Sequence, residues 1–291
     1  MVKGIIIKGI SGLYYVKSKN KLYKCKARGL FRKQKIKPLV GDKVYIDIDD
    51  SDDTGYIMEI ENRENKLIRP PVANVNQAII VFSVKDPEPN LWLLDRFLLL
   101  AERENLESVI CFNKIDLVDK EYINFLNKIY NKAGYEVLNT STKNNNGILK
   151  AKEVLKNKIS VFAGPSGVGK SSLLNSIQPN LSLKTGDISE KTKRGKHTTR
   201  STELLELDFG GWVVDTPGFS SLKIDYLNKD NLYLYFKEIR KYSDDCKFND
   251  CKHDKEPGCK VKEALKNNEI SKERYENYLK FLKEIQSLRR Y

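Results

Sequence analysis

One stretch constrains this chain more than any other: Gly164-Pro165-Ser166-Gly167-Val168-Gly169-Lys170-Ser171, which fits G-x-x-x-x-G-K-[ST]. It lies between an apolar run, Ile159–Ala163, and a helix-like segment opening with Ser172-Leu173-Leu174. A loop of this kind works at the junction of a strand and a helix. Its glycines let the backbone curl so that successive N–H groups and the helix N-terminus face phosphate oxygens. Lys170 then neutralises β- and γ-phosphates and Ser171 ligates magnesium. The candidate phosphate site is therefore the run from Gly164 to Ser172, and it demands an α/β layer around it.

The surrounding pattern supplies that layer. Strand candidates Gln77–Val84, Ser108–Phe112, Glu136–Asn139 and Ile159–Ala163 alternate with helix-length segments near Leu91–Glu104, Lys120–Ala133 and Gly147–Lys156. This is the rhythm of a mostly parallel sheet covered by helices. Glu203–Asp208 and Gly211–Val214, joined at Gly210, read as a hairpin. Ahead of Arg69-Pro70-Pro71 the texture differs: Gly4–Ile10, Gly12–Val16, Lys21–Ala27, Lys43–Ile48 and Thr54–Ile60 are short β-rich runs, which suggests a small OB-type barrel. From about Asn228 the chain is helical and charged, ending in a helix around Ser271–Leu288.

A second motif concerns the base. The apolar run Val109–Phe112 ends in Asn113-Lys114-Ile115-Asp116. This N-K-x-D resembles the base-reading loop of the GTPase family. The resemblance implies that Asp116 accepts from guanine N1–H and the exocyclic amine, that Asn113 bonds the base edge, and that the Lys114 stem lies over the ring. Adenine has an acceptor at N1 and no 2-amino donor, so Asp116 would be left unpaired; such sites discriminate by roughly four to five orders of magnitude. Thr140-Ser141-Thr142-Lys143 resembles the S-A-K loop of that family, departing from it at Thr142, and Ser141 by itself reads equally as a helix N-cap. Asp215-Thr216-Pro217-Gly218 fits D-x-x-G, in which Asp215 approaches magnesium through water and the Gly218 amide meets the γ-phosphate.

The order of these motifs is unusual, because the base-reading pair precedes the phosphate loop. The domain therefore looks circularly permuted, which is tolerable because a site depends on spatial arrangement and termini lie at the surface. The segment after D-x-x-G then leads directly into the C-terminal module, giving nucleotide-driven movement a short route to it. Permuted order, a basic barrel before it and a Cys/His cluster after it together resemble the ribosome small subunit-dependent GTPase A family over nearly the whole chain. The implied organisation is an OB-type basic β-barrel at 1–69, a circularly permuted P-loop GTPase domain at 70–227 and a helical zinc-binding module at 228–291. Within the same resemblance, Gly195–Arg200 matches a switch I segment, with Thr199, or Thr198 beside it, as a magnesium ligand. Phe219 stands where Ras-like enzymes carry a water-orienting Gln, so His197 is the candidate to hold the attacking water, the alternative being a switch-loop His that contacts RNA or solvent.

Charge and cysteines set the remaining expectations. The formal net charge is +13, and residues 17–40 hold ten basic residues and no acidic one. A polyanionic partner fits this excess through counterion release, and an exposed basic face without a partner is the plainer reading. Cys246, Cys251, His253 and Cys259 form a closed Cys₃His set, suited to structural rather than catalytic zinc because no position is left open for water. Cys25 and Cys111, isolated in apolar strands, read as core thiols. No apolar stretch reaches the roughly 18 residues of a spanning helix, so a cytoplasmic, monomeric protein without membrane contact is expected. The leading expectation is a GTP hydrolase with GTP and GDP as substrate and product, magnesium and one zinc, acting on the small ribosomal subunit and its rRNA in late maturation with stimulation by the subunit. The second is an RNA-binding zinc protein that uses GTP as an occupancy switch. A P-loop ATPase or kinase conflicts with Asn113, Lys114 and Asp116.

Overall fold

The first strands alternate buried and open side chains because one face of each lines a barrel. In the computed structural model, which describes residues 1–49, 52–68, 70–181, 202–215, 224 and 227–288, β1 (Val2–Ile10), β2 (Leu13–Ser18), β3 (Lys21–Ala27), β4 (Lys43–Asp49) and β5 (Thr54–Ile60) close in the order β1-β2-β3-β5-β4. Only β3 and β5 pair in parallel. This is the five-stranded OB-type barrel expected from the sequence. Ile6, Val16, Cys25, Val44, Ile46 and Ile57 are its fully buried filling, and a short helix α1 (Gly29–Lys33) follows β3. β1 pairs with β4 only from Val2 to Ile5, and a bulge between Ile6 and Lys8 then turns it away. Lys8 instead forms an isolated antiparallel bridge to Glu203, far along the chain.

Residues beyond β5 fasten the barrel rather than hang from it. Arg63 holds the fully buried Asp42 through two bonds, Nε to Oδ1 at 2.7 Å and Nη2 to Oδ2 at 2.8 Å. Two short strands, β6 (Lys66–Leu67) and β7 (Val72–Ala73), form an antiparallel ribbon that no strand expectation covered. A Cβ on Gly41 would stand 2.1 Å from the Ala73 carbonyl oxygen, and this glycine sits at φ +88°, so only glycine allows the approach.

The second layer is a six-stranded sheet of β8 (Gln77–Ser83), β9 (Glu107–Asn113), β10 (Glu136–Thr140), β11 (Ile159–Ala163), β12 (Leu204–Glu206) and β13 (Trp212–Val214), ordered β10-β9-β8-β11-β13-β12. All neighbours are parallel except the β12–β13 hairpin. Helices α2 (Leu91–Arg103) and α3 (Lys120–Lys132), N-capped by Asn90 and Asp119, cover the face carrying Ile80, Phe82, Ile110 and Phe112. Helices α4 (Ile148–Leu155) and α5 (Lys170–Ile177) cover the face carrying Ile79, Val81, Val109 and Cys111. Every residue of β8 is buried because both faces are covered. Parallel pairing also brings the ends of β8, β9, β10 and β11 to one edge, where α/β sheets carry their sites.

The C-terminal helices α6 (Lys237–Ser243), α7 (Lys260–Lys266) and α8 (Lys272–Leu288) share a core with Leu99 and Leu100 of α2. A buried ion cluster ties the same elements. Arg274 donates to Asp95 Oδ1 at 2.6 Å and to Glu238 Oε1 at 2.7 Å, and Asn277 and the Tyr130 hydroxyl donate to Asp95 at 2.7 and 3.1 Å. Burial works against the Arg274 charge, and the two carboxylates more than offset it, holding the guanidinium well above its ordinary pKa. Among the described residues no helix is long and apolar enough to cross a membrane.

Candidate functional site

The phosphate loop leaves β11 at Ala163 and enters α5 at Lys170. Gly164 sits at φ +136°, where a Cβ would stand 2.1 Å from the Val81 carbonyl oxygen, and Gly169 sits at φ +93°, 2.5 Å from Asn113 Nδ2 by the same measure. Close approach to β8 and to the base loop therefore requires glycine at both ends of the curl. Lys170 folds its ammonium back over the loop, donating to Gly164 O at 2.9 Å and Pro165 O at 2.6 Å. Desolvation pushes its pKa down to about 8. An arriving polyphosphate would exchange neutral carbonyls for anionic oxygens around that cation. Ser171 and Val168 are buried, Gly164, Pro165, Gly169 and Ser172 half-buried, and Ser166 and Gly167 exposed.

The N-K-x-D residues reach the same place from β9. Asn113 is buried; its Nδ2 donates to Val168 O at 2.9 Å, and its Oδ1 accepts from the Thr140 hydroxyl at 3.0 Å. The Cys111 thiol lies 3.3 Å from that hydroxyl, completing a buried chain across β9 and β10. Lys114, at φ 63°, turns the chain out of β9 and donates to Gly167 O at 2.9 Å and to Asp86 O. Asp116 lies in a 3-10 turn, and its Oδ1 accepts from the Ser141 hydroxyl at 2.5 Å. Ser141 does not N-cap α4, which begins after Gly147; its oxygen instead accepts from the Asn144 N–H at 3.2 Å. Thr142 is half-buried and Lys143 exposed beside it. Thus Asn113 and Lys114 meet the phosphate loop across a long stretch of sequence, and Asp116 of the same motif is held by Ser141 of the loop after β10. Thr140 opens the motif quoted from the sequence, but its part as the buried hydroxyl joining Asn113 to that loop was not read there.

Asp215 follows β13 and is exposed, with its N–H donating to Glu203 O at 2.9 Å. Because β13 runs parallel to β11, Asp215 emerges at the phosphate-loop edge. His197, Thr198, Thr199, Gly218 and Phe219 lie outside the described residues.

The second cluster closes as the sequence reading expected. The ligand atoms of Cys246, Cys251, His253 and Cys259 all lie within 4.8 Å of one another. His253 Nδ1 is 3.6 Å from Cys246 Sγ and 3.5 Å from Cys259 Sγ, and the two sulfurs are 4.0 Å apart. Tetrahedral zinc with ordinary Zn–S and Zn–N bonds separates its ligands by roughly 3.5–3.8 Å, so the donor set fits. Two tyrosines pin the loop backbone: Tyr275 donates to His253 O at 2.6 Å and Tyr278 to Lys252 O at 2.9 Å. The Glu256 carboxylate accepts from the Lys252 and Asp254 amides at 3.0 and 2.9 Å. Burial raises Cys251 to about 12, so a protonated cluster would be inert and a metal would have to displace its protons.

A phosphate loop, a base loop delivered by an earlier strand and a D-x-x-G aspartate at one sheet edge define a circularly permuted GTPase. Profiles of known families agree: residues 60–225 match the RsgA GTPase and residues 3–57 the RsgA N-terminal domain. The chain belongs to the RsgA family of small ribosomal subunit biogenesis GTPases. A protein of Alkaliphilus metalliredigens described as small ribosomal subunit biogenesis GTPase RsgA is 52% identical, with 100% of each chain covered. One from Caldanaerobacter subterraneus with the same description is 49% identical over 98% of this chain and 96% of its own. Among solved structures, YjeQ from Thermotoga maritima superposes with a TM-score of 0.86 at 43% identity, covering 98% of both chains. YloQ, described as a circularly permuted GTPase, gives 0.85 at 42% identity over 100% of this chain and 97% of its own.

Proposed function

We propose that this chain hydrolyses GTP on the small ribosomal subunit during its late maturation, with turnover stimulated by the subunit. The observation that carries the nucleotide part is the bond of Asn113 to Val168 O at 2.9 Å, which makes base loop and phosphate loop one cradle despite their inverted order. Gly164 to Ser172 would wrap the phosphates, Lys170 would offset the charge developing at the γ-phosphate, and Asp116, seconded by Ser141 and the Thr142-Lys143 turn, would select guanine. Asn113 and Lys114 would hold the base edge and ring. Ser171, Thr199 and Asp215 would hold magnesium, which would neutralise phosphate charge when bound. His197 would orient the attacking water, and the Gly218 amide would meet the γ-phosphate.

The barrel, 1–69, would supply the basic RNA-facing surface; 70–227 would be the GTPase domain and 228–291 the helical module, folded around one structural zinc held by Cys246, Cys251, His253 and Cys259. The assignment to the subunit draws on relatives near 50% identity along their full length that carry that description. A monomer working in the cytoplasm suits the free thiols.

The deciding experiment compares GTP hydrolysis by the purified chain with and without small subunits. Strong stimulation is expected. Equal rates in both would favour the occupancy-switch reading, and ATP competing as well as GTP would remove the guanine assignment.

A further inference from the structure

Glu203 is gripped from two sides. Its carboxylate takes Lys8 Nζ of β1 at 2.6 Å, and the two residues also form an antiparallel backbone bridge. On its other side its carbonyl accepts the Asp215 N–H at 2.9 Å. One residue therefore stands between the barrel and the aspartate that follows β13. The bulge in β1 makes this possible, since it frees the strand edge at Lys8 that β4 would otherwise occupy.

A cavity of about 370 Å³ is lined by Gly9, Ile10, Ser11 and Val40 together with Pro71 and Thr202, so it includes the chain neighbours of Lys8 and Glu203. A second lysine, Lys17 of β2, reaches Glu206 of β12 at 2.9 Å, with the glutamate side chain 51% exposed. Lys8 and Glu203 are the more enclosed pair, at 31% and 29%. The β12–β13 hairpin thus meets the barrel through two ion pairs, one of them continuous with a backbone bond to Asp215.

We infer that the Lys8–Glu203 pair relays the pull of the small subunit on the barrel to Asp215, so that both are positioning residues for the stimulated turnover alone. This rests on the proposed stimulation by the small subunit, because the barrel is the part that would meet RNA. A polyanion drawing on the basic barrel shifts β1, the bridge carries that shift to Glu203, and the carbonyl of Glu203 carries it to the Asp215 amide. Linked sites typically couple by roughly 5- to 150-fold. An ion pair about a third exposed, with one backbone bond behind it, belongs at the low end.

The test uses the full-length chain, small subunits and GTP, with K8E, K8M, E203K and the swap K8E/E203K. In K8E the subunit-stimulated kcat is expected to fall about fivefold. Its half-saturating subunit concentration and its basal turnover should stay at the parent values, and the swap should recover the loss. K8M, which keeps the aliphatic stem, should show the same loss without charge repulsion and so guards against a misfolded K8E. A parent-like stimulated kcat in both lysine variants would overturn the inference. So would a loss expressed as a raised half-saturating concentration that the swap does not repair, since Lys8 would then be touching RNA itself. A parent chain that subunits fail to stimulate would sink the functional reading, and this inference with it, before any variant is compared.

Discussion

The Asn113 side-chain amide donates to the Val168 carbonyl at 2.9 Å and accepts from Thr140 at 3.0 Å, so the residue that opens the base motif is also a tie-bar for the phosphate loop. Replacing it by Ala strips a partner from a buried carbonyl and a buried hydroxyl, at a cost of about 1–3 kcal/mol. Because the tie orders the loop rather than touching one phosphate, GTP and GDP should weaken alike, by about tenfold or more. Calorimetric titration of Asn113→Ala with both nucleotides measures this. An unchanged affinity for both would mean that the loop keeps its shape without the tie.

Lys170 gives the binding a pH signature. Desolvation holds its pKa at about 8 in the free protein. Bound phosphates favour the ammonium and must raise that value. Affinity is then flat below the free-state pKa, where Lys170 is already charged, and falls as pH rises through and beyond about 8, by up to about tenfold per unit. GDP titrations at pH 7, 8 and 9 should show little change over the first interval and a clear loss over the second. A flat profile would mean that the ammonium does not face the phosphates.

The His197 proposal has the simplest kinetic test. With Phe219 in the place of a water-orienting glutamine, His197→Ala is expected to remove subunit-stimulated turnover while leaving GTP affinity within about twofold. Single-turnover hydrolysis beside an equilibrium titration separates the two. Unchanged stimulated turnover would take His197 out of the mechanism.

Motifs built on local chain geometry were legible in the sequence, and contacts between distant surfaces were not. Gly164, Lys170, Asn113 and Asp116 announce themselves because phosphate and base chemistry demand those residue types at those spacings. The barrel strands were legible through alternation, although Val2 and Lys17-Ser18 extend them beyond the expected bounds. The Arg63–Asp42 pair and the β6–β7 ribbon were not legible, because an arginine and an aspartate 21 residues apart carry no mark of pairing and two-residue strands show no alternation. Likewise, nothing in the sequence marks Arg274 as a partner of Asp95, which lies 179 residues away. In the sequence Asp95 only interrupts the apolar run of 91–101, whereas a charge at that position on a buried face signals a buried counter-ion.

Zinc should govern the C-terminal module. The cluster supplies four ligands to the loop between α6 and α7, which has no helix or strand of its own, so metal binding and the folding of that loop are coupled. Elemental analysis should find a single zinc per chain. A strong chelator, or Cys259→Ser, should lower the melting temperature and abolish hydrogen-exchange protection around Tyr275 and Tyr278, while GDP binding at the distant cradle survives. Protection that persists without metal would make the cluster dispensable for folding.

The Asp95–Arg274–Glu238 cluster yields the largest expected stability effect. Its three members are 0%, 1% and 4% exposed and come from α2, α8 and α6, so they join the sheet domain to the C-terminal helices. Arg274→Met preserves volume but leaves two carboxylates buried without a cation, a loss of about 3–5 kcal/mol. The variant should also gain more from acid than the parent does. Stranded carboxylates have folded-state pKa values raised above their unfolded values, so the native state binds protons more tightly and stability climbs as pH falls from 7 towards 5. Adding Asp95→Asn and Glu238→Gln to Arg274→Met removes the unpaired charges and should recover much of the loss at pH 7. Urea unfolding of the parent, the single variant and the triple variant at both pH values decides the matter: equal stability of parent and single variant would mean that the cluster contributes nothing to holding the two parts together.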